Sequence, residues 1–292
     1  MLGPELGSVR PVSDLQTPEL DVSGTAYLTL VQDVLLGRFE PHSELVAANR
    51  DQVDVELAKL LKRRGLIAAE VASEDAEWVE EGLIWPRHAM TMIGRKRLQN
   101  IRDCVVDAVR SGVPGDLIET GVWRGGGTIF MRAILRVLSV RDRRVWVADS
   151  FAGLPRNNPE SYPADQDAPP LHLSAELSVS LEQVESNFEL FGLLDGQVRF
   201  LKGWFKDTLP TLGDQRWAVM RLDGDLYEST IQALTNLYPN LAVGGWTIID
   251  DYGEIDACKQ AVHDYRRQHE ITEPLEEIDG SGVCWKRVRG PE

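Results

Sequence analysis

After Met92 the chain settles into a regular alternation of short apolar runs and helical patterns. The runs are DLIET (116–120), RVWVADS (144–150), VRFLKG (198–203), WAVMRLDGD (217–225) and GWTIIDD (245–251). Between them, apolar residues recur at helical spacing over 127–140, 181–191, 229–238 and 258–269. Parallel neighbours in a sheet need a crossover of a dozen residues or more, and a helix is the usual one. This alternation therefore predicts an α/β fold: a doubly wound, Rossmann-like, mostly parallel sheet with helices on both faces. The ending GVCWKRVR (282–289) alternates in polarity and is expected to add an edge strand.

The first 90 residues follow other rules. Residues 1–22 are rich in Pro, Gly and Asp and read as a loose tail. Apolar residues at helical spacing over 27–36, and again over 54–64, predict two helices. The acidic stretch 70–82 (EVASEDAEWVEEG) reads as a solvated or mobile segment. Residues 23–90 are thus expected as a small helical appendage or lid, and 91–292 as the main domain. Within the latter, 154–174 holds five prolines and no periodicity, which points to a lid or substrate loop.

Composition narrows the function classes. Forty-six acidic residues against 31 basic ones give a net charge of −15, which disfavours nucleic acid and anionic membranes as partners. Cys104, Cys258 and Cys284 offer neither a disulfide framework nor zinc-ligand spacing. The opening residues lack the pattern of a signal peptide, and no run of 18 apolar residues occurs. A cytoplasmic protein is the expectation, and the helical appendage suggests a homo-oligomer.

In doubly wound sheets, ligands bind beyond the carboxyl ends of the strands. The first strand runs into Glu119-Thr120-Gly121, followed by Val-Trp-Arg and three glycines. GxxxGGG is not the GxGxxG pattern of a pyrophosphate site, and a tight ligand-free turn explains the glycines equally well. Asp149 ends the next strand, where an acid suits the hydroxyls of a ribose or simply caps a helix. Taken together, the two features favour an adenosyl cofactor without a pyrophosphate. Trp123 and Trp204 would cover an adenine or a sugar, or plug the gap between helix and sheet.

The sharpest cluster comes later. Asp223 and Asp225 end one apolar run, and Asp250 and Asp251 end the next. Four carboxylates at one sheet edge repel unless protons or a cation compensate. Oxygen-only ligands favour Mg²⁺, Ca²⁺ or Mn²⁺ over zinc. The five histidines are scattered and read as surface or capping residues.

Several unusual strings occur together here in a fixed order: TMIGRKRLQN (91–100), LIETGVWRGGGTIFMRAIL (117–135), VWVADSFAGLP (145–155), FLKGWFKDTLP (200–210), RLDGDLYESTIQALTNLYP (221–239), GGWTIIDDYG (244–253) and AVHDYR (261–266). In them the chain resembles the macrocin O-methyltransferase family over roughly residues 85–287. The resemblance implies a class I methyltransferase sheet. It also implies an S-adenosylmethionine- and Mg²⁺-dependent enzyme, with Mn²⁺ as a substitute, that methylates a sugar hydroxyl of a glycosylated natural product.

For the cofactor pocket the resemblance implies Glu119, Thr120, Gly121, Val122 and Trp123, together with Asp149, Ser150, Phe151 and Gly153. Thr91, Met92, Ser180 and Trp204 are implied as secondary contacts. Asp223, Asp250 and Asp251 are implied as metal ligands, and Asp225 as the base that deprotonates the acceptor. A sugar hydroxyl is too weakly acidic to ionise alone at neutral pH, so a divalent cation and a carboxylate beside it suit the task. Nucleotide-sugar glycosyltransferases also hold a metal with a DxD pair, which makes them the alternative. That alternative leaves the ETGVWRGGG turn and the second acid pair without a use.

Overall fold

The computed structural model describes residues 10–11, 20–40, 43–47, 54–66 and 68–289. The N-terminal part contributes β1 (Arg10–Pro11), α1 (Val22–Leu35), β2 (Ser43–Ala47), α2 (Val55–Arg63), β3 (Ala69–Ser73) and α3 (Ala76–Glu81). Next come α4 (Gly94–Arg110), β4 (Asp116–Thr120), α5 (Gly126–Val137) and β5 (Val145–Asp149). The remainder is α6 (Leu181–Leu190), β6 (Val198–Lys202), α7 (Phe205–Thr208), β7 (Trp217–Leu222), α8 (Tyr227–Leu237), β8 (Leu241–Ile249), α9 (Asp256–Gln268), β9 (Glu276–Glu277) and β10 (Val283–Lys286).

The main sheet runs β1-β9-β10-β8-β7-β4-β5-β6. Strands β8, β7, β4, β5 and β6 are parallel to their neighbours, as the alternating pattern demands. The terminal strand β10 pairs antiparallel with β8, and β9 and β1 extend the sheet beyond it. Strand order reverses between β4 and β7, so the crevice at their carboxyl ends is the topological switch point.

Successive strand residues face opposite sides, and each side has its own core. Leu117, Val147, Val219 and Ile248 face α1, α4, α5 and α6, whereas Ile118, Ala148, Met220 and Ile249 face α8 and α9. All three cysteines are free and buried.

The N-terminal region departs from the sequence expectation. Leu28, Val31 and Leu35 of α1 are buried in the first core, so the apolar stripe of this helix is built into the main domain. Of the tail expected over 1–22, residues 1–9 and 12–19 lie outside the described residues, while Arg10–Pro11 pairs with Glu276–Glu277. The appendage is not purely helical, because β2 and β3 form an antiparallel pair.

The acidic stretch 70–82 is not simply a solvated segment, since it includes most of β3 and all of α3. Several of its acids have partners. The Asp75 carboxylate accepts from the amides of Glu77 (2.8 Å) and Trp78 (3.3 Å), capping α3. Glu80 pairs with Arg95, and Glu81 pairs with Lys96 at 2.8 Å. Arg95 also reaches Asp33 at 2.6 Å, joining α1, α3 and α4.

Candidate active site

A cavity of about 570 Å³ opens at the switch point, walled by the loops that follow β4, β5, β7 and β8. The β4 and β7 loops touch directly: the Asp223 amide donates to the Thr120 carbonyl at 2.9 Å. Gly121 sits there at φ +79°, and a Cβ on it would lie 1.7 Å from the Asp223 carbonyl oxygen. Only glycine permits both that backbone and that approach.

The β4–β5 side is held largely by backbone. One Asp149 oxygen accepts from the Val122 amide at 2.8 Å, and the other accepts from the Phe151 amide at 2.7 Å. Burial raises the pKa of this carboxyl, and the amide hydrogen bonds oppose that shift. Arg124, in the glycine-rich turn, donates to the carbonyls of Pro86 (3.0 Å), Arg87 (2.9 Å) and Ala89 (2.7 Å). It thereby fixes the segment that brings Thr91 and Met92 to the cavity wall. Trp123 stands at φ +48° and donates through Nε1 to the Glu176 carbonyl at 2.8 Å.

Among the expected cofactor residues, Glu119, Gly121, Val122 and Trp123 line the cavity, as do Asp149, Ser150, Gly153 and Trp204. Three others lie off its wall. Thr120 is fully buried below the β4–β7 contact. Phe151, at φ +54°, packs into the first core with its ring 6.4 Å from that of Phe200. Ser180 caps α6 by accepting from the Gln183 amide at 3.2 Å.

The β7–β8 side carries the charge. Arg221, 1% exposed, donates through Nη1 to Glu119 (2.5 Å) and Asp223 (2.9 Å) and through Nη2 to Asp250. Arg97 of α4 binds the other Asp250 oxygen at 2.6 Å and Asp279 at 3.1 Å. Both oxygens of Asp250 are therefore taken by arginines. Asp223, Asp225 and Asp251 form a separate cluster, in which one oxygen of each lies within 4.8 Å of the others.

Asp225 stands at φ +58°, and its amide donates to Asp251 at 3.2 Å. Its carboxylate has no hydrogen-bond partner among the described residues. Burial, reinforced by neighbouring aspartates, pushes the carboxyls of Asp225 and Asp251 well above the usual range. Burial also raises Asp223 to about 6 and Glu119 to about 7, each restrained by Arg221.

The buried Glu119 Oε2 lacks a partner among the described residues. Gly127 makes room for this carboxylate, because a Cβ there would lie 2.4 Å from Glu119 Oε1. The site thus contains an orphaned acceptor on its β4 side and uncompensated carboxylates on its β7–β8 side. Sequence reasoning missed Arg97, Arg221 and Asp279. Arg221 did leave a signal, because a lone charge inside the apolar run WAVMRL must be paired once buried.

The profile described as Macrocin-O-methyltransferase (TylF) matches residues 24–287. A Streptomyces olivaceus protein, 8-demethyl-8-(2,3-dimethoxy-alpha-L-rhamnosyl)-tetracenomycin-C 4'-O-methyltransferase, is 58% identical over 207 residues, covering 71% of this chain and 79% of its own. Demethyldecarbamoylnovobiocin O-methyltransferase of Streptomyces niveus is 55% identical over 209 residues, 72% of this chain and 80% of its own. The solved structure of the O-methyltransferase NovP superposes with a TM-score of 0.76 at 47% identity, over 91% of this chain and all of that one. A calicheamicin methyltransferase, at 20% identity and TM-score 0.53, shares the fold, covering 83% of this chain and 95% of its own. These relatives are methyltransferases, which sets aside the glycosyltransferase reading of the DGD motif.

Proposed function

The chain belongs to the macrocin-O-methyltransferase family, and from that premise we propose that it methylates a sugar hydroxyl of a glycosylated natural product at a divalent-cation site. It is an S-adenosylmethionine-dependent O-methyltransferase of the EC 2.1.1 type, with a class I methyltransferase sheet. The relatives' names specify a rhamnosyl tetracenomycin and a novobiocin precursor as what those proteins act on. A deoxysugar glycoside is the acceptor class we carry over from them. The observation that carries the proposal is a single cavity joining the β4–β5 loops to an acid cluster in which Asp225 and Asp251 have no arginine partner among the described residues.

S-Adenosylmethionine supplies an electrophilic methyl group, and the chain's task is to align it with the acceptor oxygen. Gly121, Val122 and Asp149 shape the side assigned to the cofactor. Glu119 Oε2, buried and unpartnered among the described residues, suits the ammonium group of the amino acid moiety.

The donor set fits a hard cation. Its ligands are all carboxylate oxygens, and Asp225 and Asp251 lack an arginine partner among the described residues. Mg²⁺ or Mn²⁺ would make a bound hydroxyl more acidic. We assign Asp223, Asp250 and Asp251 as ligands, since each Asp250 oxygen keeps a lone pair beside its arginine bond. Asp225 then receives the acceptor's proton on its free carboxylate.

The observed grouping of Asp225 with Asp223 and Asp251 favours a second reading, in which Asp225 is the third ligand. Manganese titration of Asp225→Asn separates the two. A base variant keeps Mn²⁺ affinity, and a ligand variant loses it.

The function as a whole is tested by turnover with demethyldecarbamoylnovobiocin and a panel of deoxysugar glycosides, with and without EDTA. Methylation that needs a divalent cation supports the proposal. Methylation at full rate without one removes the cation.

A further inference from the structure

The proline-rich loop 154–174 is fastened to the main domain through Asp165. This residue is fully buried, and its carboxylate accepts from the Tyr227 amide at 2.7 Å and the Glu228 amide at 3.0 Å. Those are the first two amides of α8, and Leu226 at its N-cap has no side-chain acceptor to offer them. A helix start leaves such amides unpartnered and favours a nearby negative charge. Most helices supply the cap from the adjoining residue. Here it comes from 62 residues upstream.

The loop is braced to carry it. Asn157 Nδ2 donates to the carbonyls of Asp165 (3.1 Å) and Ala168 (2.9 Å). The Tyr162 ring lies 6.1 Å from that of Tyr227. The turn that Asp165 grips begins two residues after Asp225, whose backbone is held at φ +58°. Glu228 and Gln232 of α8 face the cavity, and so do Pro155, Pro169 and Leu171 from the loop.

We propose that Asp165 is a positioning residue: it fixes the first turn of α8 and, through it, the strained Asp223–Asp225 turn. Loop and acid turn then move as one unit, so the loop wall of the cavity is registered against the acids opposite it. A residue at φ +58° persists only where its surroundings over-determine it. The Asp225 amide bond to Asp251 at 3.2 Å restrains one side of that turn, and the Asp165 cap restrains the other. The inference rests on the acid cluster being the cation site proposed above, whereas the cap geometry stands by itself.

The test uses the full chain and the variants Asp165→Ala and Asp165→Asn. Residue-resolved amide exchange is read at Tyr227, Glu228, Asp225 and Val122. Mn²⁺ affinity is read by electron paramagnetic resonance, and S-adenosylhomocysteine affinity by calorimetry. In Asp165→Ala, exchange at Tyr227 and Glu228 should accelerate roughly two- to thirtyfold, the range for a lost helix cap. Exchange at Asp225 should accelerate with it and Mn²⁺ affinity should fall several-fold, while Val122 exchange and S-adenosylhomocysteine affinity stay put.

Asp165→Asn keeps one acceptor oxygen and should fall between wild type and Ala in every shifted readout; if Ala does not fold, Asn decides. Faster exchange at Tyr227 and Glu228 with Asp225 and Mn²⁺ affinity unchanged would reduce Asp165 to a helix cap and overturn the proposal. Equal losses of Mn²⁺ and S-adenosylhomocysteine affinity would also overturn it, as general loosening. A wild type that fails to bind Mn²⁺ would remove the cation reading, and Asp225 exchange alone would then decide the positioning role.

Discussion

The two halves of the cavity handle charge in opposite ways. On the β4–β5 side, Asp149 has each oxygen satisfied by a backbone amide, Val122 at 2.8 Å and Phe151 at 2.7 Å. On the β7–β8 side, Asp223 reaches Arg221, but Asp225 and Asp251 find no arginine among the described residues. The first half braces its aspartate with the chain's own backbone. The second leaves two buried carboxyls without an arginine partner, and protons or a cation must offset their desolvation. The cation proposed above would supply the missing counter-charge. Metal loss should therefore strike one half, and substitutions around Asp149 the other.

The largest effect should come from removing the counter-charge. EDTA should abolish turnover, and Mg²⁺ or Mn²⁺ should restore it, with S-adenosylhomocysteine affinity little changed throughout. Asp223→Ala and Asp251→Ala should lose Mn²⁺ affinity and turnover together. If cofactor affinity collapses with the metal, the two halves are not independent and the contrast fails.

Asp225→Asn sharpens the comparison inside the charged half. A positioned base contributes ~10²–10⁴-fold, so turnover should drop by that factor while Mn²⁺ and cofactor affinity persist. Raising the pH should recover part of the rate as solvent takes over the proton. Near-normal turnover would remove the base assignment.

Asp149→Ala addresses the satisfied half. It strands the amides of Val122 and Phe151, and cofactor affinity should weaken by ~1–3 kcal/mol, the scale of a lost charge-assisted hydrogen bond. Mn²⁺ affinity should not move. An unchanged cofactor affinity would leave Asp149 a backbone brace and nothing more.

The contrast also marks what was legible in the sequence. The parallel sheet was legible because five apolar runs alternate with helical spacing, and the acids were legible because they end two of those runs. Their division into groups was not. Asp250 and Asp251 are adjacent in sequence, yet one is bound by two arginines and the other joins Asp223 and Asp225. That split depends on Arg97, which lies 153 residues from Asp250.

The resemblance implies Phe151 as a cofactor contact, and nothing in the string DSFAG signals that its ring packs into the first core. Helix α4 is hard to read in the sequence because its first turn, GRKR, masks the apolar stripe of Leu98, Ile101 and Val105 that follows. Asp165 carried no local signal at all: its role exists only once α8 is beside it.

The smallest effect is a stability shift with pH that should belong to the charged half. Burial raises Glu119 from 4.5 to about 7 and Asp223 from 3.8 to about 6, and lifts Asp225 and Asp251 well above 3.8. Arg221 faces Glu119, Asp223 and Asp250, and Arg97 faces Asp250, whose pKa is lowered and matters only below 3.8. Each raised group binds its proton more tightly folded than unfolded. Between its ordinary and raised values the folded state holds the extra proton, so raising the pH through that window destabilises the fold. Metal-free protein should thus melt at progressively lower temperature as pH rises from about 5 to about 7, against the usual tendency of paired carboxylates. At ~2–4 °C per kcal/mol for a domain of this size, the drop should be several degrees. Saturating Mg²⁺ should flatten it, because the cation takes the place of the protons and stabilises the folded state most where they have left. Asp149 should contribute less, since its amide bonds oppose the burial that raises it. Differential scanning calorimetry at pH 5, 6 and 7, with EDTA or Mg²⁺, reads the slope. A melting temperature that climbs with pH in EDTA would mean that the acid cluster is already compensated within the chain, and the contrast between the two halves would disappear.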